Sequence, residues 1–413
     1  MRGMFATMIA LVCCLGFAVI AADSTDFRGP DRNGIFTAET GLLKQWPEAG
    51  PKRMWTAEGL GQGYASVTVV GGKVYTTGKF GDSGALFAFD NKGKQLWRTD
   101  YGDEFHGSGY PGSRTTPTYY KGSLYLMTSL GTVVAADAET GKIKWKVDVL
   151  ARFGEGQKAE SLLPKFGIAE SLLVVDDQLI CTPGTKKAVM AALSLKDGQT
   201  LWTTPGNDEI SAYCSPRLYE DGGHRFILTM TAASMIAVNP KDGALIFRQS
   251  YPATYNIHAV SPVWQDGYIY VSDGYGQGGS CFKLADDGKS VSLAWREKTL
   301  DIHHGGTVLV DGVIYGASNS KHWISLDLKT GKVLETVRRQ GKGALIYADG
   351  RLIGYTEKGE VVMAKPNKGK IEVVSRFEMK EGSGHHWSHP VVNKGTLYVR
   401  HGKVLAAFDV RAN

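Results

Sequence analysis

Apolar and polar residues alternate over short stretches along most of the chain, and turns rich in glycine separate these stretches. The pattern is clearest in SVTVVGGKVYTTGKFGDSGALFAFDNKGKQLWRTD, where the alternation has a period of two residues. This period is typical of β-strands, and the intervening glycines suit tight hairpin turns. The segment therefore predicts a four-stranded antiparallel sheet with strands at Ser66–Val70, Lys73–Thr77, Ala85–Asp90 and Gln95–Thr99.

The same phrase recurs about every forty-five residues, and a bulky residue in its last strand marks each copy. A repeat of this length indicates a solenoid or a propeller. One four-stranded sheet cannot bury both of its faces alone, so the copies must stack around an axis. The markers of the eight copies are Trp55, Trp97, Trp145, Trp202, Phe247, Trp295, Val337 and Phe377.

The two ends of the chain supply complementary parts of one copy. KRMWTAEG, which contains Trp55, reads as an outer strand with no inner strands before it. PVVNKGTLYVRHGKVLAAFDV, near the other end, reads as three inner strands with no outer strand after them. We therefore predict an all-β, eight-bladed propeller of four-stranded antiparallel blades, whose ring is closed by the N-terminal outer strand joining the C-terminal blade. Such closure leaves no exposed strand edge.

The first residues, MRGMFATMIALVCCLGFAVIAA, combine one early arginine with an apolar run and a pair of small residues. This order is typical of a secretory signal peptide. We predict a signal peptide at 1–22, a lead-in segment at 23–52 and the propeller at 53–413, with export to the periplasm or the cell exterior. A retained N-terminal anchor is the alternative to cleavage. No later stretch of the chain is apolar enough to span a bilayer, so we expect no transmembrane span in the mature chain.

The charge and the cysteine content of the chain limit the classes of partner and cross-link that we expect. The net charge of +6 is mild and no dense run of Lys and Arg occurs, so we expect no nucleic-acid partner. Beyond the predicted signal peptide the chain keeps Cys181, Cys214 and Cys281. Three cysteines are too few for a disulfide framework, although one bridge remains open. We expect a monomer.

Candidate binding residues follow from aligning the copies on their second strands. The alignment puts one residue of each copy at the start of its innermost strand, and these eight start positions should line one mouth of the central channel. They are Tyr64, Arg114, Ala169, Tyr213, Ala259, His304, Lys342 and Trp387. Seven of the ten histidines lie at or near them, so the mouth should be aromatic and either cationic or protonatable. The insertion at 150–167 should border the same mouth.

We predict that this mouth binds an anionic, flat ligand, which would pair with Arg114 and Lys342 and stack on Tyr64, Tyr213 or Trp387. A quinone tricarboxylate, an acidic sugar and a carboxylate-bearing peptide are the alternatives, and so is a mouth filled only by side chains bonded to water. The full set of candidate ligand-binding residues is Tyr64, Arg114, Glu170, Tyr213, His258, His303, His304, Lys342, His386 and Trp387.

No metal site and no catalytic residue is predicted. His385 and His389 in GHHWSHP lie four residues apart on an extended segment, which separates them by about 13 Å along a strand. Calcium needs several oxygen ligands, and Glu170 is the one acid among the candidate residues. The chain also lacks a G-x-S-x-G motif, so a nucleophilic serine is not expected.

AADAETGKIKW, with the looser copies AFDNKGKQLW and ISLDLKTGKVLE, resembles the repeat of the PQQ-like eight-bladed propellers. This resemblance spans essentially the whole mature chain. The family includes the quinoprotein alcohol dehydrogenases and the propeller lipoprotein of the outer-membrane barrel assembly machine, which binds no cofactor. FRGPDRNGIF resembles the start of a set of secreted bacterial propellers. The adjacent cysteine pair that lies against the quinone in the dehydrogenases occurs here only at 13–14, within the predicted signal peptide.

The resemblance favours a scaffold over an enzyme, because a Glu, Asn and Asp set for calcium and the catalytic base is not evident. We expect an exported propeller that binds a small anionic ligand, a glycan or a protein partner at its mouth, without a resident cofactor. The alternative is a quinoprotein oxidoreductase similar to an alcohol or sugar dehydrogenase. It would hold pyrroloquinoline quinone (PQQ) and calcium at the same mouth, with Trp387 or a tyrosine stacked on the quinone and a histidine as general base.

Overall fold

The computed structural model describes residues 23–107, 109–207 and 209–412, and the predicted signal peptide lies outside these ranges. The described chain forms eight sheets, each built on four antiparallel strands, which confirms the predicted eight-bladed propeller. Its helical segments are α1 (Val149–Phe153), α2 (Ala159–Leu162) and a 3-10 turn at Thr254–Asn256. In the described part of the chain, no helix is both long enough and apolar enough to cross a bilayer.

Two strands precede the first complete blade, namely β1 (Ile35–Phe36) and β2 (Lys52–Ala57). The first four blades then follow the sequence repeats, each running from its innermost to its outermost strand. Blade 1 contains β3 (Thr68–Val70), β4 (Lys73–Phe80), β5 (Ser83–Phe89) and β6 (Gln95–Asp103). Blade 2 contains β7 (Thr118–Tyr120), β8 (Ser123–Met127), β9 (Thr132–Asp137) and β10 (Ile143–Asp148). Blade 3 contains β11 (Leu173–Val175), β12 (Gln178–Cys181), β13 (Met190–Ser194) and β14 (Thr200–Thr204), and blade 4 contains β15 (Arg217–Asp221), β16 (His224–Met230), β17 (Ser234–Val238) and β18 (Leu245–Ser250).

The last four blades repeat this order, and the final one borrows its outer strand from the N-terminal end. Blade 5 contains β19 (Val263–Gln265), β20 (Tyr268–Asp273), β21 (Gly278–Leu284) and β22 (Val291–Glu297). Blade 6 contains β23 (Thr307–Val310), β24 (Val313–Ala317), β25 (Trp323–Asp327) and β26 (Val333–Val337). Blade 7 contains β27 (Gly343–Ala348), β28 (Arg351–Thr356), β29 (Glu360–Asn367) and β30 (Lys370–Glu378), and blade 8 contains β31 (Val391–Asn393), β32 (Thr396–His401) and β33 (Val404–Asp409). β2 pairs antiparallel with β33 and completes blade 8, which confirms the predicted closure of the ring.

The recurring tryptophan joins each blade to the next. Trp55 in blade 8 covers the glycine of the last hairpin turn of blade 1, and a Cβ atom on Gly93 would lie 2.7 Å from the indole ring. The Trp55 Nε1 group also donates to the carbonyl of Asn91 at 3.0 Å. The same contact recurs between Trp97 and Gly141, Trp145 and Gly198, Trp202 and Gly243, and Trp295 and Gly331. The repeat therefore keeps both the turn glycine and the tryptophan because they are two halves of one contact between blades.

Two of the predicted markers are displaced along their strands. A bulge in the outer strand sets the tryptophan opposite the third strand in the first blades, as at Trp145. The corresponding register in blades 6 and 7 places Glu335 and Ser375 at this position. The prediction of Val337 and Phe377 is therefore wrong by two residues, although both lie in the expected outer strands. The outer strands of these two blades contain no tryptophan, so the alignment was made on a bulky residue two positions beyond the true register.

The apolar core lies between the faces of neighbouring blades. One cluster, for example, joins Tyr125 and Val133 of blade 2 to Leu179 of blade 3. Such stacking is expected of blades that cannot bury their faces alone. Cys181, Cys214 and Cys281 are buried within this packing as free thiols, so the bridge that the sequence left open is not formed.

The segment at 24–36, here called the plug, fills one end of the central channel. β1 runs parallel to β27 and pairs with its last two residues. Ser24 forms a bridge with Val69, and the carbonyl of Thr25 accepts from the amide of Tyr119 at 2.9 Å. The plug thus contacts the innermost strands of blades 1, 2 and 7 at the ends away from the start positions. The channel is consequently open at one mouth.

Two arginines of the plug reach deeper into the channel. Arg28 donates to the carbonyl of Thr307 in blade 6 at 2.6 Å and contacts Nδ1 of His389, next to blade 8, at 3.1 Å. Arg32 forms an ion pair with Asp26 and donates to the carbonyl of Leu172 beside blade 3 at 2.7 Å. Both guanidinium groups are almost fully buried. The plug is therefore anchored by polar contacts to blades on opposite sides of the ring.

Candidate functional site

The eight start positions surround one cavity of about 750 Å³ at the open mouth of the channel. A cavity of this size suits a small-molecule ligand. We call this cavity the bowl. Its lining consists of Phe27, Tyr64, Tyr110, Arg114, Phe166, Ala169, Tyr213, Ser215, Ile257, Ala259, Tyr275, His303, His304, Asn319, Lys342, Glu357, His385, Trp387 and His389.

Seven of the ten candidate ligand-binding residues line the bowl. They are Tyr64, Arg114, Tyr213, His303, His304, Lys342 and Trp387. The structure places the other three elsewhere. Glu170 is buried and accepts from the amide of Thr182 at 3.1 Å, His258 bonds a backbone carbonyl at 2.9 Å, and His386 bonds the hydroxyl of Tyr355 at 2.5 Å. Each of the three is next to a start position in the sequence. Because consecutive side chains of an extended chain point to opposite sides, these three point away from the bowl.

One side of the bowl is an aromatic wall made of Tyr64, Tyr110, Phe166 and Trp387. The Trp387 ring centroid lies 5.0 Å from that of Tyr64 and 4.9 Å from that of Tyr110. Phe166, which belongs to the insertion at 150–167, meets Tyr110 at 5.6 Å. These ring planes are inclined to one another by 46°, 51° and 70°. His385 lies parallel to Trp387 at 4.3 Å and covers one indole face. The wall is therefore curved rather than a flat slot.

Four tyrosines around the bowl adopt left-handed backbone conformations. The φ angles are 53° at Tyr110, 73° at Tyr213, 58° at Tyr255 and 62° at Tyr275. Three of them line the bowl, and Tyr255 packs edge-on against Tyr275 at 5.1 Å. A bulky residue with this conformation costs roughly 1–2 kcal/mol. Such strain concentrates at functional sites, and within the described residues no other aromatic side chain has it.

A second group of lining residues forms a compensated charge cluster. Glu357 Oε1 accepts from His304 Nε2 at 3.1 Å and from Trp387 Nε1 at 2.9 Å. Lys342 Nζ lies 3.0 Å from the same oxygen. Burial alone would raise the pKa of Glu357, but the hydrogen bonds from His304 and Lys342 outweigh it and lower the pKa to about 2. The ionised Glu357 therefore neutralises Lys342, which the sequence suggested as a partner for an anionic ligand.

Arg114 keeps its charge available to the bowl. Its guanidinium donates to the carbonyls of Gly112 at 3.0 Å and Tyr110 at 2.6 Å, and among the described residues it forms no ion pair. Burial lowers the pKa of Arg114, yet an arginine remains charged at neutral pH. Burial, with smaller effects of His304 and Lys342, lowers the pKa of His303 to about 4, so this imidazole is neutral. Among the Arg, Lys, Asp and Glu side chains of the lining, Arg114 is therefore the one without an ion-pair partner.

The floor of the bowl is formed by Phe27 of the plug and by His389. Their rings meet edge-on with centroids 5.0 Å apart. Because the Arg28 guanidinium only donates, Nδ1 of His389 accepts, and its Nε2 donates to the carbonyl of His304 at 3.2 Å. Burial lowers the pKa of His389 well below its usual range. The plug thus sets both the depth of the bowl and the tautomer of a histidine in its floor.

Further cations lie behind the lining. Arg217 and Arg400 are buried like Arg28, and in the described part of the chain none of the three forms an ion pair with a carboxylate. Burial lowers their pKa values only to about 10 for Arg28, 9 for Arg217 and 10 for Arg400, so all stay charged at neutral pH. Burial raises the pKa values of Glu104 and Glu170, and Glu104 also interacts electrostatically with Arg114. Low-dielectric walls focus such a field into a concave site, and the bowl should therefore attract anions.

The residues of the bowl do not suit PQQ with calcium, the cofactor pair that the fold family implies. Calcium takes about six to eight oxygen ligands, whereas the acid in the lining is Glu357, which already accepts from three donors. Across the described ranges, no group of three or more His, Cys, Asp and Glu residues is placed to hold a metal ion. His385 also covers one face of Trp387, where the sequence suggested a stacked quinone.

Sequence reasoning missed several lining residues. Tyr110 and Tyr275 lie in GSGYPG and GYGQGG, where a bulky side chain between glycines signals a special backbone and could have found them. Glu357 comes from the turn between β28 and β29 and reaches the bowl through the fold of blade 7. Phe27 reaches it through the plug, and neither of these two carries a local signal.

Comparison of the sequence with known proteins identifies its relatives. The family model described as outer membrane protein assembly factor BamB matches residues 40–154 and 118–337. BamB of Yersinia pestis is 25% identical over 320 residues, which cover 74% of this chain and 75% of that protein. BamB of Shewanella oneidensis is 22% identical over 254 residues, which cover 58% of this chain and 60% of that protein.

Solved structures show the same fold at low identity. BamB from Moraxella catarrhalis has a TM-score of 0.63 and 15% identity, covering 87% of this chain and 99% of its own. Quinohemoprotein alcohol dehydrogenase from Comamonas testosteroni has a TM-score of 0.65 and 12% identity, covering 95% of this chain and 82% of its own. The two likenesses alone do not separate a binding protein from a dehydrogenase. The family model, however, matches well over half of the residues, and the chain belongs to the family of the outer membrane protein assembly factor BamB.

Proposed function

We propose that this chain is an exported, monomeric binding scaffold that holds a ligand or a segment of a partner protein in the bowl. The observation that carries the proposal is the convergence of all eight start positions on one cavity with an aromatic wall and strained tyrosines. Packing the centre of a propeller requires neither a cavity of this size nor left-handed tyrosines. Concave sites that combine aromatic surfaces with a few polar groups are typical of ligand binding.

Two further observations support a scaffold in the cell envelope. The relatives of this chain are named as outer membrane protein assembly factors, which is the name of a binding role rather than of a reaction. The first 22 residues have the order of a secretory signal peptide. We therefore place the protein in the periplasm or outside the cell.

Binding to a defined panel tests the proposal. The panel contains neutral and acidic oligosaccharides, neutral and acidic peptides, and PQQ with and without calcium. We expect the wild-type protein to bind at least one class, and Trp387→Ala and Arg114→Gln each to weaken that binding by at least about tenfold. Trp387 contributes the largest ring of the aromatic wall, and Arg114 contributes the uncompensated charge. Calorimetric titration measures both effects.

Arg98→Gln is the matched control. Arg98 also lies over an aromatic ring, 4.1 Å from the centroid of Phe80, but it belongs to the outer strand β6 and forms a partly exposed pair with Asp100. This variant should bind like the wild type. The proposal is overturned by binding that survives both bowl substitutions, and equally by the absence of any binder in the panel. PQQ binding accompanied by substrate-dependent dye reduction would instead identify a quinoprotein oxidoreductase.

A further inference from the structure

We infer that the ligand of the bowl is an acidic saccharide, a pyranose that carries a carboxylate or a sulfate group, with this group at Arg114 and an apolar face of the ring on the aromatic wall. The inference rests on the proposed function, because it names the ligand class of the same site. It is supported by the charge, the shape and the hydrogen-bonding groups of the bowl.

The charge of the bowl requires an anionic group on the ligand. Lys342 is compensated by Glu357 at 3.0 Å, whereas Arg114 donates hydrogen bonds only to backbone carbonyls among the described residues and lies over the ring of Tyr64, 5.7 Å from its centroid. The buried Arg28 contacts His389 in the floor and adds to the positive field. A guanidinium binds carboxylate and sulfate oxygens through two parallel hydrogen bonds. One acidic group near Arg114 therefore neutralises the lining without displacing an existing ion pair.

The shape of the bowl favours a puckered ring over a planar one. A flat quinone or heterocycle is held best between parallel aromatic faces, but the rings of the wall are inclined by 46° to 70°. The parallel pair that does exist, His385 on Trp387 at 4.3 Å, leaves no space for a third ring between its members. A pyranose chair presents C–H groups on two faces and at its edges. Such a ring can contact several inclined aromatic planes at once.

The bowl also offers polar groups that can form hydrogen bonds with the hydroxyl groups of a sugar. The hydroxyls of Tyr64 and Tyr110 make no hydrogen bond within the described part of the chain. Asn319 uses its amide nitrogen on Asp301 at 3.0 Å, which leaves its carbonyl oxygen to accept from a ligand. A peptide or a hydrocarbon offers few hydroxyl groups to these partners. A saccharide offers one at nearly every ring carbon.

The plug restricts how the ligand enters. Because residues 24–36 fill the far end of the channel and Phe27 forms the floor, a polymer cannot thread through the ring. A chain-end sugar entering from the open mouth fits this geometry. The bowl should therefore bind the terminal residue of an acidic oligosaccharide.

Calorimetric titration with α-1,4-linked trigalacturonate, its methyl ester and a chondroitin sulfate tetrasaccharide tests the inference. We expect the wild type to bind trigalacturonate or the sulfated saccharide at least about tenfold more tightly than the neutral ester. Tight binding of trigalacturonate, which carries carboxylates alone, shows that a carboxylate suffices, because the chondroitin sulfate tetrasaccharide carries both carboxylates and sulfates. In Arg114→Gln the acid and the ester should bind equally, whereas Arg98→Gln should keep the full preference.

The outcomes separate this inference from the proposed function. The inference is overturned if neither acidic saccharide binds the wild type more tightly than the neutral ester does, and equally if neither acidic saccharide binds. An acidic peptide that binds more tightly than either saccharide and loses affinity in Trp387→Ala also overturns it, while the proposed function stands. A panel without any binder that depends on the bowl overturns both.

Discussion

Arg32→Met should lower the free energy of unfolding by about 3–5 kcal/mol, the usual effect of removing one partner of a buried ion pair. Arg32 is 3% exposed, pairs with Asp26, and donates to the carbonyl of Leu172 at 2.7 Å. The methionine fills a similar volume but leaves the carboxylate without its cation and removes the Arg32 hydrogen bonds to the carbonyls of Ser171 and Leu172, of which the latter keeps the Thr118 hydroxyl as a donor. Urea unfolding followed by tryptophan fluorescence measures the loss.

The control for this prediction is an exposed ion pair of similar geometry. Arg53 contacts both carboxylate oxygens of Glu381 at 2.5 and 2.9 Å, with side chains 37% and 38% exposed. Arg53→Met should therefore cost no more than about 1 kcal/mol. Adding Asp26→Asn to Arg32→Met should recover part of the loss, because the buried charge is then removed. Equal losses for Arg32→Met and Arg53→Met would show that the plug is not anchored in the channel as described.

Gly141→Ala should lower the free energy of unfolding by about 2–4 kcal/mol, part from the left-handed backbone and part from steric overlap. Gly141 has a φ of 73°, and a Cβ atom there would lie 2.6 Å from both the ring of Trp97 and the hydroxyl of Thr99. This glycine closes the last turn of blade 2 against blade 1. The overlap forces either the indole or the turn to move, which loosens the contact between the blades. Thermal and urea unfolding both report the change.

Gly122→Ala, in the first hairpin turn of the same blade, separates the two parts of this effect. Gly122 has a φ of 78°, and a Cβ atom there would meet nothing within 4 Å. Its replacement should therefore cost only about 1 kcal/mol, the penalty of the left-handed backbone. The difference between the two variants measures the contact with Trp97. Similar losses at both positions would contradict the role of the tryptophan as a joint between blades.

The fold could be predicted from the sequence because its determinants are local and repeated. Each copy carries its own alternation and turn glycine, and most copies carry the tryptophan. The structure shows that this tryptophan and glycine meet across blades. Prediction failed in detail where a copy lost the tryptophan. There Glu335 and Ser375 occupy its position, and nothing in their chemistry distinguishes them from other exposed strand residues.

The site could be predicted only in part, for reasons of geometry. The repeat register identifies the positions that face the channel mouth, and all eight line the bowl. The register does not show which way the side chain before a start position points. His303 lines the bowl and bonds the hydroxyl of Tyr275 at 2.7 Å, whereas His258 bonds a backbone carbonyl outside the bowl. Glu357 neutralises Lys342, which was expected to bind an anion, although the two residues are fifteen positions apart and the strands β27 and β28 lie between them. Contacts of this kind depend on tertiary structure, which a periodic pattern does not encode.

The plug shows the same limit on a larger scale. The sequence predicts FRGPDRNG only as part of a lead-in segment. In the structure, however, its Arg28 and Arg32 each donate to a carbonyl more than 130 positions further along the chain. These contacts close one end of the channel and place Phe27 and His389 in the floor of the bowl. The shape of the candidate site therefore depends on a segment that is not part of the four-stranded repeat.

Hydroxyl-radical footprinting with mass spectrometry, with and without trigalacturonate, tests most directly whether the bowl is the binding site. We expect the ligand to protect the aromatic wall, above all Tyr110, which is 42% exposed. Leu201 and Leu293 on the outer strands, which are 51% and 52% exposed, should react as without ligand. Protection of the outer strands together with an unprotected Tyr110 would contradict this expectation.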